Sequence, residues 1–147
     1  MMIPRIINDV NGLEAFRNQL KASHLPHEDL SNDHLLIGYY DNDQLIGTGG
    51  IEVHEEYGLI RSVSITNGNR SKKLGTQITH HLILQAKEKN LKGLYLLTET
   101  ARDFFLKFGF ELIERDQVAE AIKSSTEFSH VCPVSASCMY LDFKRSC

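Results

Sequence analysis

In the stretch Ser62-Val-Ser-Ile-Thr-Asn-Gly-Asn-Arg-Ser-Lys-Lys-Leu-Gly-Thr-Gln77, a β-branched run ends, the chain turns, and a helical period begins at once. Asn67, Gly68 and Asn69 supply the turn. Beyond it Leu74, Ile78, Leu82 and Ala86 lie four apart, which predicts one apolar helix face ending near Asn90. Amides in a first helical turn have no intrahelical acceptor, and the aligned peptide dipoles make that end electropositive, so the junction offers donors to an anion such as a pyrophosphate. Arg70, Lys72 and Lys73 add full positive charges. The same segment also allows a plainer reading, a helix that starts here with Ser71 near its N-cap and its basic side chains in water.

Upstream of the junction, residues 34–40, 44–54 and 57–66 are strand-like, separated by Asp41-Asn42-Asp43 and by Glu55-Glu56. They predict an antiparallel meander. In the third run Leu59, Arg61, Val63 and Ile65 alternate and are expected on one face. Further upstream, residues 3–7 read as a first strand. Leu13, Phe16 and Leu20 continue as a helix to about Ala22, and residues 22–33, with Pro26, form a loop able to cover a substrate site. Downstream, Gly93 leads into a short apolar strand at 94–97. Residues 101–108 then form a short helix closed by Gly109, and 110–113 a strand. A helix around 117–123, a Ser-rich connection containing Pro133 and a closing strand at 136–143 complete an α/β (α+β) pattern with a mixed, mostly antiparallel sheet of six to seven strands.

At 147 residues, 41% hydrophobic and 24% charged, the chain fits one domain spanning 1–147. The net charge of −3 comes from interspersed acidic and basic residues, which argues against a nucleic-acid partner. No apolar run reaches the roughly 20 residues needed to span a bilayer, and residues 1–10 lack a signal-peptide core, so the expected location is cytoplasmic, away from membranes. Cys132, Cys138 and Cys147 are odd in number and clustered at the C-terminus, as reduced thiols would be rather than a disulfide framework. Cys132 and Cys138 do not have a zinc spacing, so no metal is expected, with arsenite or another soft metal as the minor alternative.

Taken with the junction, the segment Tyr95-Leu-Leu-Thr-Glu-Thr-Ala-Arg-Asp-Phe-Phe-Leu-Lys-Phe-Gly-Phe110 resembles the GNAT superfamily of acyl-CoA N-acetyltransferases. That resemblance covers most of the chain and implies the GNAT fold, with acetyl-CoA as cosubstrate and transfer of its acetyl group to a small amine. By the same resemblance Arg70, Ser71, Lys72, Lys73, Leu74, Gly75 and Thr76 would hold the coenzyme pyrophosphate. Ser64 and Ile65 would pair with the pantetheine arm in a V between diverging strands, and Phe105 and Lys107 would lie beside it. The Leu-Leu-Thr-x-Thr-Ala-x-x-Phe-Phe core and the Cys132-Pro-x-Ser-Ala-x-Cys138 tail are similar to those of small acetyltransferases encoded with arsenic-resistance genes and related to N-acetylglutamate synthase. Two positions depart from the family pattern. Lys73 stands where the first motif glycine is usual, and Phe105 stands where many members have a tyrosine that protonates the leaving thiolate.

For the proton of the attacking amine, Glu52 and His54 lie two apart on one predicted strand and so emerge on the same face, beside the strand carrying Arg61. Glu52 is the leading candidate for base, against the plain alternative of an exposed pair on a hairpin. Arg61, on a packing face, must pair with a carboxylate. That carboxylate belongs either to the protein or to an amino-acid-like substrate. Thr98 is a candidate substrate contact, while Thr100 is expected to cap the next helix. The histidines at 80 and 81 sit mid-helix and are assigned no metal. Exposed strand edges leave a homodimer open.

Overall fold

A computed structural model of the chain describes residues 2–31, 33–69, 73–123, 125 and 136–143. The expected elements form in the expected order. They are β1 (Ile3–Ile6), α1 (Val10–Ala22), β2 (Leu35–Asp41), β3 (Gln44–His54), β4 (Tyr57–Ile65), α2 (Leu74–Glu88), β5 (Gly93–Thr98), α3 (Arg102–Leu106), β6 (Glu111–Leu112), α4 (Glu120–Lys123) and β7 (Ser137–Asp142). Part of the helix expected around 117–123 is instead a 3-10 turn, Arg115–Gln117, preceding α4. Among the described residues no helix is long and apolar enough to cross a membrane.

The seven strands form one sheet in the order β1-β2-β3-β4-β5-β7-β6, antiparallel except for the β4–β5 pair. On one face α2 lays Ile78, Leu82 and Ala86 against Ile37, Tyr39, Ile51, Ile60, Leu94 and Leu96. The helix can sit this close because β3 runs through glycine beneath it: a Cβ on Gly47 would lie 2.7 Å from the Ile78 side chain. On the opposite face α1 buries Phe16 and Leu20 on Leu36, while Val118 and Ile122 cover Leu59, Tyr95 and Cys138.

The alternation expected along β4 breaks in its middle. Thr48 pairs with Ser64 but Gly50 pairs with Arg61, so β4 spends one residue more than β3 over this interval, and Ser62 takes a left-handed φ of 62°. Such a bulge moves every later side chain to the other face. Leu59 therefore packs with the α4 face, whereas Val63 and Ile65 join the α2 face. The single face read for Leu59, Val63 and Ile65 is corrected accordingly.

At the outer edge, Ile7 N–H bonds to Leu36 O at 2.8 Å, so in this antiparallel pair the alternate residues Pro4 and Ile6 turn their backbone outward. Pro4 has no N–H to give, which blunts this edge against pairing with another strand.

Candidate active site

The parallel partners β4 and β5 stay together only from Tyr57↔Gly93 to Ile60↔Leu96. Beyond that point β4 runs on to Ile65 against β3, and β5 runs on to Thr98 against β7. The two strands thus part before Ser64 and Ile65, which lie beyond the last β4–β5 pair. This is the V expected from the sequence. Ser64 itself is buried. Its Oγ lies 2.5 Å from Thr48 Oγ1 and accepts from Gln19 Nε2 of α1 at 3.4 Å.

At the head of α2, Lys73 is the N-cap residue, with φ 58° and ψ 25°, and its own side chain makes no cap hydrogen bond. Lys73 is therefore not in regular helix. It occupies the left-handed conformation that a glycine would take at lower cost. Leu74 is buried, whereas Gly75 and Thr76 open the helix at its surface. A Cβ on Gly75 would meet nothing nearer than the Phe104 ring at 3.5 Å, so packing within the chain does not demand a glycine there. An anionic group approaching the first-turn amides does fit one. Arg70, Ser71 and Lys72 lie outside the described residues. Phe105 is buried in the core beside Phe104 and Phe110, and Lys107 follows as the C-cap residue of α3.

Between the end of β5 and the segment that follows α1 lies a cavity of about 970 Å³. Its walls are Leu97 and Thr98 at the end of β5, Glu99 and Thr100 after it, Ala136, and the segment after α1 from Ser23 to Asp29, with Lys21. Thr98 Oγ1 accepts from Ala101 N at 3.0 Å, so Thr98, not Thr100, supports the start of α3. A second cavity of about 700 Å³ lies between β1, the start of α1 and Val53, away from the divergence.

Beneath the cavity wall is a buried ionic network. The Arg61 guanidinium, 0% exposed, gives Nε to Ser62 Oγ (3.1 Å) and Nη1 to Asp29 Oδ2 (2.6 Å) and Glu52 Oε2 (2.8 Å). Its Nη2 bonds Asp29 Oδ1 (2.7 Å) and Pro26 O (3.4 Å). A guanidinium has five N–H donors, and all five are engaged. Of the two partners open to Arg61 in the sequence, the protein's own carboxylates take it. It has no donor left for a substrate carboxylate.

Glu52 and His54 do meet on one face, with His54 Nε2 2.8 Å from Glu52 Oε1, which also accepts from Ser125 Oγ at 2.7 Å. Burial by itself would raise the Glu52 carboxyl. The hydrogen bonds from His54 and Ser125, the nearby His34 and the Arg61 guanidinium outweigh burial and hold it below its ordinary value. Asp29 is also held low, its burial overcome by the Arg61 hydrogen bonds and charge. Every neighbour of Glu52 favours its charged form, its side chain is 3% exposed, and neither it nor His54 lines the cavity. Glu52 is thus a buried carboxylate, held by Arg61, His54 and Ser125 and set back from the cavity wall.

His34 adds a further titratable group, its Nε2 3.8 Å from Glu52 Oε2 and its buried Nδ1 without a hydrogen-bond partner among the described residues. Burial holds this imidazole below its ordinary value. Glu52 pulls the other way, and Arg61 adds to the lowering. Sequence reasoning missed Asp29, His34 and Ser125, whose proximity to Glu52 and Arg61 is created only by folding. Among the described residues no group of three or more His, Cys, Asp or Glu could hold a metal ion.

A family model for the acetyltransferase (GNAT) domain matches residues 8–125. Among solved structures, the chain is similar to N-acetylglutamate synthase from Neisseria gonorrhoeae, complexed with coenzyme A and N-acetyl-glutamate. The identity is 12% and the TM-score 0.76, over 97% of this chain and 35% of the synthase, so the chain spans about a third of that protein's length. A Mycobacterium tuberculosis protein solved in complex with CoA is similar at 21% identity and TM-score 0.77, over 95% of this chain and 98% of that one. Escherichia coli ElaA is similar at 18% identity and TM-score 0.73, over 97% of this chain and 100% of ElaA. No curated protein matches the chain.

Proposed function

The chain belongs to the acetyltransferase (GNAT) domain family, and from that premise we propose that it moves the acetyl group of acetyl-CoA to the amine of a small molecule. The observation that carries this reading is the parting of β4 from β5 on the approach to the head of α2, where the Lys73 side chain makes no cap hydrogen bond. The β4 backbone at Ser64 and Ile65, beyond the last β5 partner, would bond the pantetheine amides. The first-turn amides at Leu74, Gly75 and Thr76 would receive the pyrophosphate, with Arg70, Ser71, Lys72 and Lys73 around it. The thioester would then point toward the 970 Å³ cavity, where Thr98 and its neighbours meet the acceptor. Phe105 has no proton to give the leaving thiolate, so that proton comes from solvent or another group.

The acceptor is proposed as a small primary amine. The similar N-acetylglutamate synthase, solved with N-acetyl-glutamate, lends support to an amino-acid-like molecule. If the acceptor carries a carboxylate, Lys21 in the cavity wall is placed to meet it, because Arg61 is already saturated. A second reading, an acyl-CoA-binding domain without turnover, is favoured by the left-handed Lys73 and by Phe105. Arsenite binding is disfavoured at Cys138, whose thiol is buried and pushed up to about 11, and Cys132 lies outside the described residues.

The two main readings separate in one assay, release of free thiol from acetyl-CoA with and without a panel of primary amines, with the acetylated product identified by mass spectrometry. Amine-dependent release with matching product supports transfer. Saturable acetyl-CoA binding with no release above the buffer rate would sink transfer and leave the binding domain.

A further inference from the structure

We propose that His27 is the proton acceptor of the reaction, an assignment that rests on the transferase reading above. His27 lies in the wall of the cavity at the end of β5, facing Leu97 to Thr100 across it. Its Nδ1 is 3.1 Å from the Leu25 carbonyl oxygen. A carbonyl oxygen can only accept, so Nδ1 carries the hydrogen, and in the neutral ring the lone pair is on Nε2. A hydrogen bond from one ring nitrogen to a backbone carbonyl fixes the tautomer and leaves the other nitrogen as the acceptor.

The segment bearing His27 is pinned on both sides of the ring. Arg17 Nε of α1 donates to His27 O at 3.2 Å, while the buried Arg61 grips Pro26 O and both Asp29 carboxylate oxygens. The ionic network therefore acts as a positioning device for the residue between its two anchor points. This gives the Arg61–Glu52–Asp29 cluster a purpose that direct contact with substrate does not. The charged and titratable groups sharing the cavity are Lys21 and His24 at the end of α1, Glu28 and Asp29 of the same segment, and Glu99 after β5. Asp29 is committed to Arg61.

In the step itself, the lone pair of the acceptor nitrogen forms a bond to the thioester carbonyl carbon as the carbon–sulfur bond breaks, and that bonding pair leaves with sulfur. The hydrogen shed by nitrogen goes to His27 Nε2 and on to solvent, and the thiolate takes one up from solvent. Amide and free thiol result, with charge and protons balanced.

The test compares wild type with His27→Gln, and adds His27→Ala with and without imidazole. Acetyl-CoA binding is measured by calorimetry. Thiol release is measured across pH with spermidine, tyramine, L-glutamate and L-glutamine as probe amines. The expected result is unchanged acetyl-CoA binding in both variants, kcat/KM lower by about 10²-fold or more, and partial rescue of His27→Ala by imidazole. Wild-type rates retained in His27→Gln, or a loss that imidazole does not restore while acetyl-CoA still binds, would overturn the assignment and leave the transferase reading intact. Loss of acetyl-CoA binding in both variants would make His27 a binding residue and overturn it as proton acceptor. A wild type that turns over none of the probes would remove the transferase reading and this assignment together.

Discussion

Lys73 is an L-residue held at φ 58° and ψ 25° at the head of α2, and its own side chain makes no cap hydrogen bond to offset the conformation. The left-handed region costs a residue with a Cβ roughly 1–2 kcal/mol. Glycine escapes that cost but gives back about 0.5–1 kcal/mol through the greater freedom of its unfolded chain. Lys73→Gly should therefore stabilise the fold by about 0.5–1 kcal/mol, or about 1–4 °C in Tm for a chain of this size. Lys73→Ala keeps the Cβ and loses only the ammonium, so it should melt within about 1 °C of wild type, since that ammonium has no partner among the described residues. Thermal and urea unfolding of the three proteins at one pH and salt concentration gives the comparison. Both variants lack the charge, so any difference between them in acetyl-CoA affinity reads the backbone alone. A Lys73→Gly variant no more stable than Lys73→Ala would refute the left-handed assignment.

Arg61→Ala should destabilise the protein by about 3–5 kcal/mol in chemical denaturation, because Glu52 and Asp29 would be left buried without their cation; a loss below about 1 kcal/mol would mean that water reaches the network. Stability should fall in two stages on acidification. His34 and His81 are held below 6.5 by burial, so the stability they confer is complete above that pH and is lost as pH falls below it. Glu52 and Asp29, held below 4.5 and 3.8, add a second loss as pH falls through and below those values. A melting temperature flat from pH 7 to 4 would contradict this. The Cys138 thiol, buried and pushed up to about 11, should react with a disulfide reagent at neutral pH only at the rate of unfolding, and prompt labelling of Cys138 in the folded protein would contradict its placement.

Local periodicity made much of this fold legible. Leu74, Ile78, Leu82 and Ala86 repeat at the helical interval and are the buried stripe of α2. The period of two along β3 correctly places Glu52 and His54 side by side. The bulge at Ser62 was not legible, because a serine with positive φ has no local signature and the extra residue is defined only by the pairing with β3. That one residue separates Arg61 from Val63 and decides which face each occupies. The partners of Arg61 were half legible. Glu52 lies on the neighbouring strand, but Asp29 is 32 residues away in a loop, where only the folded path of the chain brings it within 2.6 Å. The cap of α3 shows the same limit on a smaller scale: Thr98 and Thr100 are equivalent as residue types, and the exit angle of β5 selects Thr98. His27 offers no sequence motif, since its role depends on the carbonyl its ring happens to face.

Acetyl-CoA is expected to bind where β4 leaves β5 and α2 begins. Calorimetric titration with acetyl-CoA, beside a Gly75→Glu variant whose carboxylate would face the pyrophosphate, tests it most directly. The predicted result is saturable binding to the wild-type chain and its loss in a variant that still folds. No binding at millimolar acetyl-CoA, or equal binding by both proteins, would contradict it.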